Sequence, residues 1–388
     1  MIYEINQGNI PIKLWLDDAD IDSMNQAINL SNFPYAFKHI ALMPDAHVGY
    51  GMPIGGVMAT KDVIVPNAVG VDIGCGMCAV KTTFTHIDTA NLKRILGKIR
   101  EFVPLGFNHH KEMQDIAIMP SPDSVSDFDS ITSRQFNSAR RQVGTLGGGN
   151  HFIEIQKGSD GFIYLMIHSG SRNIGKTVAE HYNNLAKNLN AKYKEIPEKW
   201  DLAFLHLDSD DGRKYLSEME YCVKFALANR LLMMETVQEI VVDIAGDCDF
   251  DESINIPHNF ASLEEHFGEQ VWVHRKGATP AYKGCIGIIP GSQGTFSYIV
   301  EGLGNPESFE SSSHGAGRKI GRNRAIKELD FDEEVAKMNK LGILHGIRSS
   351  KQLDEAPGAY KDIYQVMQNQ SDLVKILIEL SPLAVVKA

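Results

Sequence analysis

The sequence predicts an α+β fold. Three features carry that expectation: short β-branched or aromatic runs flanked by glycine, a few long apolar stripes at helical spacing, and no regular alternation between the two. A doubly wound parallel sheet requires strand and helix to alternate, and the order found here does not supply that. The strand-like runs, in chain order, are 40–43, 56–60, 77–81, 152–155, 162–167, 271–274, 286–289, 296–300 and 383–386. The first helix is expected over 88–103, where Asp88 can cap and Leu92, Ile95, Leu96, Ile99 and Phe102 recur at helix spacing. Val178, Tyr182, Leu185 and Leu189 mark a second helix. A third, over about 211–241, has few breakers and would be roughly 45 Å long at ~1.5 Å per residue.

Composition bounds what such a fold can do. With 388 residues, 43% hydrophobic and 22% charged, the chain can bury a large core and is not compositionally disordered. No linker rich in Pro, Gly or Ser divides it, and its glycine loops run from residue 45 to the C-terminus. One large domain over 1–388 around a central site is therefore expected. No stretch reaches the ~18 apolar residues of a membrane span. The opening MIYEINQGNIPIKLWL lacks a signal peptide's basic patch and cleavage site, so a cytoplasmic protein without a membrane partner is expected. Five scattered cysteines argue for reduced thiols rather than a disulfide scaffold. The net charge of −11 disfavours non-specific adhesion to nucleic acid.

The loops hold the chemistry. In 44–56 an apolar strand ends in Asp45, His47 and a run of glycines, which let backbone approach a ligand closely. In 70–78, Asp72 and Cys75 lie three apart on a glycine loop, where a carboxylate and a thiolate can face one metal ion. Cys75 and Cys78 also form a C-x-x-C, readable as a redox pair or half a zinc site; Cys78 also suits the start of a buried strand. Cys222, Cys248 and Cys285 are isolated and read as small buried hydrophobes. In 146–155, strand alternation puts Asn150, Phe152 and Glu154 on one face, suited to a base or ribose, and His151 on the other. His168 and His258 each sit at a polar end beside apolar sequence, where a lone histidine is more often a packed residue than a ligand. One carboxylate, one thiolate and three imidazoles together suffice for two divalent ions sharing a thiolate. Arg275 and Lys276 in 273–280, with the glycine turn 290–295, offer cations and N–H groups for polyphosphate. His314, among small residues at an expected helix start and followed by Arg318, Lys319, Arg322 and Arg324, is either a nucleophile or a phosphate contact.

In order and over nearly the whole chain, MPDAHVGYGMPIGG, GVDIGCGM, LGGGNHF, HSGSR, HNF, HRKGATPA, PGSQGT, SSSHGAGR, EAPGAYKD and the final VVK resemble the RtcB family of RNA-splicing ligases, in its short bacterial form. The resemblance implies a mixed-sheet core flanked by helices around a central cleft. It also implies a GTP- and manganese-dependent enzyme joining RNA ends with a 3'-phosphate or 2',3'-cyclic phosphate to 5'-hydroxyl ends, as in tRNA splicing or RNA repair. It makes His314 the nucleophile carrying GMP, and Asp72, Cys75, His151, His168 and His258 the ligands of two Mn²⁺ per subunit, with Cys75 bridging. Residue types alone would favour zinc. By the same resemblance guanylate meets Asn150, Phe152, Glu154, Asn259, Ser292, Gly315, Ala316, Gly317, Tyr360 and Lys387. RNA phosphates meet Arg172, Arg318 and Arg322, and Asp45 lies near the 5'-hydroxyl. DNA ends of the same chemistry and an accessory activator protein stay open. The chain departs from the pattern at Gln293, where many relatives carry methionine, and at Ala388 after Lys387.

Overall fold

The computed structural model describes residues 1–121 and 130–388. Two sheets organise it. The first runs, in spatial order, Tyr3–Ile5, Ile12–Leu14, Ala36–His47, Ile54–Thr60, Glu269–Lys276 and Asn259–His266. The second runs Ile254–Pro257, Gly76–Lys81, Ile163–Ser169, Phe152–Gly158, Val374–Val386, Ser297–Gly302 and Ile286–Ile289. Apart from the parallel pairing of Ile12–Leu14 with Ala36–His47, neighbours in both sheets are antiparallel, as an α+β chain requires.

Side-chain alternation explains how the sheets pack. Ile40 and Leu42 face a core with Ala27 and Leu30 of the helix Ile21–Ser31. Ala41 and Met43, one residue out of phase, face a second core with Ile289, Tyr298 and Val300, which belong to the other sheet. In the larger sheet Ile153, Ile155, Leu165 and Ile167 pack on Leu92, Ile95 and Ile99 of the helix Thr89–Phe102 and on Met233, Val237 and Val241 of the helix Asp210–Ala245. Phe152, Tyr164, Met166 and Ile288 fill the opposite face.

Each of the nine expected strand runs coincides with a strand, 162–167 and 296–300 starting one residue early. Within these two sheets the strands not foreseen are Tyr3–Ile5, Ile12–Leu14, Ile254–Pro257 and Asn259–His266; all but Ile12–Leu14 are sheet edges, where a strand has one partner and can carry polar residues. Asp88 caps its helix by accepting from the Asn91 amide. The long helix, Asp210–Ala245, extends past both expected ends to about 54 Å. Ser209 accepts from the Gly212 amide at its start, and Asp210 and Asp211 favour the positive end of its dipole. Cys78 and Cys222 are buried in the core as expected, whereas Cys248 and Cys285 are only half-buried.

Two expectations are corrected. His314 does not open a helix: it follows the strand Ser311–Ser313, which pairs with Ala278–Pro280, and the next helix starts at Arg322. Strand pairing there overrides the helix-start appearance of Gly315–Arg318. Arg275 and Lys276 are not available to polyphosphate, because both are buried and bonded internally. The Arg275 guanidinium donates to Ser311 Oγ (2.9 Å), the Phe309 carbonyl (3.0 Å) and the Glu264 carboxylate (2.9 Å). Lys276 Nζ donates to the carbonyls of Tyr50 (2.6 Å) and Asn67 (2.9 Å), and burial lowers its pKa to about 7. The first residue braces the strand that leads to His314, and the second ties two glycine loops together.

Burial pushes the Glu264 carboxyl up, but Arg275 and His266 outweigh it and hold it below the ordinary carboxylate range. Arg275→Ala leaves that half-buried carboxylate without its cation and is expected to lower unfolding free energy by roughly 3 kcal/mol at pH 7. A depressed carboxylate pKa stabilises the fold above its ordinary value of 4.5 and loses that contribution as pH falls through the folded value. Urea unfolding should therefore show the gap between wild type and Arg275→Ala narrowing below pH 4.5.

Candidate active site

Register alone brings the cysteine and three histidines together. Gly76 pairs with both Pro257 and Ser169, and His168 is paired with both Met77 and Phe152. Cys75 precedes Gly76, His151 precedes Phe152 and His258 follows Pro257, so all four side chains gather at one end of four neighbouring strands. The His258 amide donates to the Cys75 carbonyl at 2.7 Å, which locks this end of the sheet.

Cys75 Sγ lies 3.3 Å from His151 Nε2 and 3.3 Å from His168 Nε2, and His168 Nε2 lies 3.3 Å from His258 Nε2. Asp72 Oδ2 is 3.0 Å from His151 Nε2. Ligand atoms of Cys75, His151 and His168 all lie within 4.8 Å of one another, so this cluster can bind a metal ion. His168 Nδ1 is 3.1 Å from the Asn150 carbonyl, which can only accept; Nδ1 therefore carries the proton and Nε2 keeps its lone pair for a ligand. Burial, and then neighbouring imidazoles, push His168 and His258 well below the usual histidine pKa, so both are neutral. Burial raises the Asp72 carboxyl, but His151, Cys75 and Arg172 outweigh it and keep it ionised. Burial and the Asp72 charge raise the Cys75 thiol, which would lose its proton on coordinating a cation. Neutral imidazoles, a carboxylate and a thiol facing one another fit a divalent ion.

The run of rings continues to His314, whose centroid is 4.7 Å from that of His258. Asp45, at the end of Ala36–His47 and with no exposed surface, accepts from His314 twice through Oδ2: from Nδ1 at 2.6 Å and from the backbone amide at 3.1 Å. The contact requires glycine at 317, where φ is +72° and an added Cβ would lie 2.3 Å from the Asp45 carbonyl. Nδ1 is committed to the carboxylate and Nε2 remains for chemistry.

His314 opens into a cleft of about 620 Å³ lined by Asn150, Phe152, Gly315, Ala316, Gly317, Arg318, Arg322 and Tyr360. Asn150, Phe152 and Tyr360 also line an adjoining pocket of about 300 Å³ with Glu154, Ser292, Glu355 and Lys387. Burial lifts the Glu154 carboxyl to about 8, and its Oε1 is buried without a hydrogen-bond partner. Asn259 lines neither cavity; its amide bridges the Asp72 carbonyl (3.1 Å) and the Gly277 amide (2.7 Å). Arg172 donates to Thr145 Oγ1 and to the Gly106 carbonyl beside the cysteine–histidine cluster.

Glu355 was missed by sequence reading and organises the far wall. Its carboxylate accepts from Arg318 (3.0 Å), Arg322 (3.1 Å), Lys387 (3.3 Å) and the Tyr360 hydroxyl. Burial works against ionisation, yet Lys387, Tyr360 and the two arginines hold its pKa at about 2. The available signal was the acidic pair Asp354–Glu355 opening the EAPGAYKD loop, within reach of loops rich in cations. His47 was likewise read only as part of its loop; it lines the larger cleft, and burial lowers its pKa to about 4.

A family model described as "tRNA-splicing ligase RtcB" matches residues 26–388. The chain is similar to the RNA-splicing ligase RtcB of Escherichia coli, at 38% identity over 100% of both chains. It is similar to the tRNA-splicing ligase RtcB of Thermococcus kodakarensis, at 29% identity over 97% of this chain and 95% of that one. It is also similar to the RNA-splicing ligase RtcB homolog 2 of Entamoeba dispar, at 31% identity over 94% of this chain and 83% of that one. Among the described residues, no helix is long and apolar enough to cross a membrane.

Titrating metal-stripped protein with Co²⁺ is expected to produce a thiolate-to-metal charge-transfer absorption. Cys75→Ala should lack the band, whereas Cys78→Ala, altered only in the core, should keep it. A band that survives in Cys75→Ala would remove that thiolate from the ligand set.

Proposed function

The chain belongs to the RtcB family, and from that premise we propose that it is an RNA ligase working through a covalent guanylate on His314. Its substrates are RNA 3'-phosphate or 2',3'-cyclic phosphate ends and 5'-hydroxyl ends, as in cleaved tRNA or damaged RNA, with GTP as cosubstrate. DNA ends of the same chemistry and an accessory activator protein are compatible with this reading. The observation that carries it is the Asp45–His314 contact, which commits Nδ1 and leaves Nε2 facing the cleft. Nε2 attacks the α-phosphorus of GTP, and the N–P bond forms as the bond to pyrophosphate breaks. Nδ1–H stays against Asp45, whose charge offsets that of the phosphorylated ring. Water opens any cyclic end to a 3'-phosphate. An oxygen of that phosphate attacks the guanylate phosphorus and frees His314, giving a 3' end capped by GMP through a pyrophosphate linkage. The 5'-hydroxyl then attacks the 3'-phosphorus and GMP leaves, completing a 3',5'-phosphodiester.

Asp72, Cys75, His151, His168 and His258 would hold two Mn²⁺, which would neutralise charge on the reacting phosphoryl groups. Arg172, Arg318 and Arg322 position RNA phosphates. The base occupies the smaller pocket with Asn150, Phe152, Ser292, Tyr360 and Lys387, while the backbone of Gly315, Ala316 and Gly317 lines the phosphate side. The free Oε1 of Glu154 supports guanine over adenine, since guanine presents N1–H and N2–H donors where adenine presents an acceptor. Asn259 serves the site by holding the Asp72 loop. Contributions from Asp45 to Lys387 to one cleft support 1–388 as a single catalytic domain.

Incubation with α-labelled GTP and Mn²⁺ should give an acid-labile, alkali-stable protein adduct, absent in His314→Ala. Asp45→Asn should slow adduct formation by about 10²–10⁴-fold through loss of the tautomer bias. An adduct retained by His314→Ala would sink the mechanism. Because Glu154 titrates near 8 and must ionise to accept from guanine, GMP binding should weaken up to about tenfold per pH unit from 8 to 6. Glu154→Gln should flatten that dependence in a binding titration.

A further inference from the structure

Phe107 is the most exposed large hydrophobic residue among those described, at 101% of the reference value. It does not stand on a loose loop. Leu105 bridges to Leu146, and the Gly106 amide donates to the Leu146 carbonyl at 2.9 Å. Downstream, the amides of His110 and Gln114 donate to the carbonyls of Arg141 and Arg140, each at 2.9 Å. The backbone is thus tied down on both sides of a phenylalanine that none of the described residues covers.

The position is as informative as the exposure. The Gly106 carbonyl accepts from Arg172, and Arg172 abuts Gly147: a Cβ added at Gly147 would lie 2.5 Å from its guanidinium and 2.1 Å from His151 Nδ1. On its other side Gly106 faces Ala388, the neighbour of Lys387 in the nucleotide pocket. His109 stands close enough for the Arg172 charge, after burial, to lower its pKa. An exposed aromatic residue on a tied backbone, next in the chain to the carbonyl that holds a guanidinium, has the make-up of a platform for single-stranded nucleic acid, where an aromatic ring takes a base and a cation takes the backbone.

We propose that Phe107 is a stacking platform for a nucleobase near an RNA end, with the adjoining phosphate drawn to Arg172. The assignment rests on the RNA-ligase reading for the identity of its ligand. It adds a substrate-positioning residue outside the chemistry, tolerant of base sequence because every base has a π face.

The test compares wild type with Phe107→Ala, Phe107→Leu and Phe107→Trp. Phe107→Ala is expected to raise the KM for RNA ends roughly tenfold while leaving self-guanylylation by GTP unchanged. Phe107→Trp should restore KM, and its fluorescence should be quenched by a bound strand; Phe107→Leu, apolar but without a ring, should not restore it. Single strands carrying 2-aminopurine at or next to a 3'-phosphate or a 5'-hydroxyl identify the stacked end by ring-dependent quenching. An unchanged KM in Phe107→Ala, or full function in Phe107→Leu, overturns the platform. Strand quenching is read without GTP, so a wild-type protein that neither guanylylates nor ligates but still shows ring-dependent quenching would overturn the ligase reading and leave the platform standing.

Discussion

A fully buried carboxylate facing an imidazole is the contact on which the rest of this molecule depends. Asp45 ends a strand of one sheet, and His314 follows a short strand pinned by Arg275. Bringing a charge out of water is costly, and the two His314 donors at Oδ2 are what offset that cost. The close approach leaves no room for side chains nearby, which explains a glycine at 317 and another at 55, where a Cβ would lie 2.8 Å from the Ala46 backbone. The motif SSSHGAGR is in this sense the steric imprint of one hydrogen bond.

The same logic of compensated charge runs across the cleft. An overall −11 would repel a polyanion, yet the far wall presents Arg318, Arg322 and Lys387. Left alone, three such cations would push one another out of line. Glu355 gives them a common acceptor, so the wall is preorganised before any ligand arrives and still retains net positive charge. Arg322, though held by Glu355, keeps half its side chain exposed to the cleft.

Much of this was legible in the sequence, and what was not has physical reasons. Central strands such as 152–155 read clearly because both faces are buried and apolar, whereas Asn259–His266, on an edge, hides among polar residues. The cysteine–histidine cluster was legible as a set of residue types, but its assembly depends on register among strands up to 183 residues apart, from Cys75 to His258. Cations were the least legible. Arg275 and Lys276 look like ligand contacts and are internal braces, while Glu355 looks incidental and is an electrostatic hub. Charge in a sequence says nothing of where its partner lies.

Strand order carries one more consequence. Val374–Val386 does not lie at a margin of the larger sheet but between Phe152–Gly158 and Ser297–Gly302. During synthesis, every earlier strand of that sheet leaves the ribosome before the one that joins its two halves. The two flanking strands must wait with unpaired edges, and Phe152, Ser292 and Glu355 have no reason to meet until the last strand slots in. A nascent or prematurely terminated chain can therefore hold most of the site's loops without owning the pocket that Phe152, Ser292 and Glu355 line. Competence arrives in a single late step, at the cost of a long interval in which the half-built sheet depends on shielding from its neighbours.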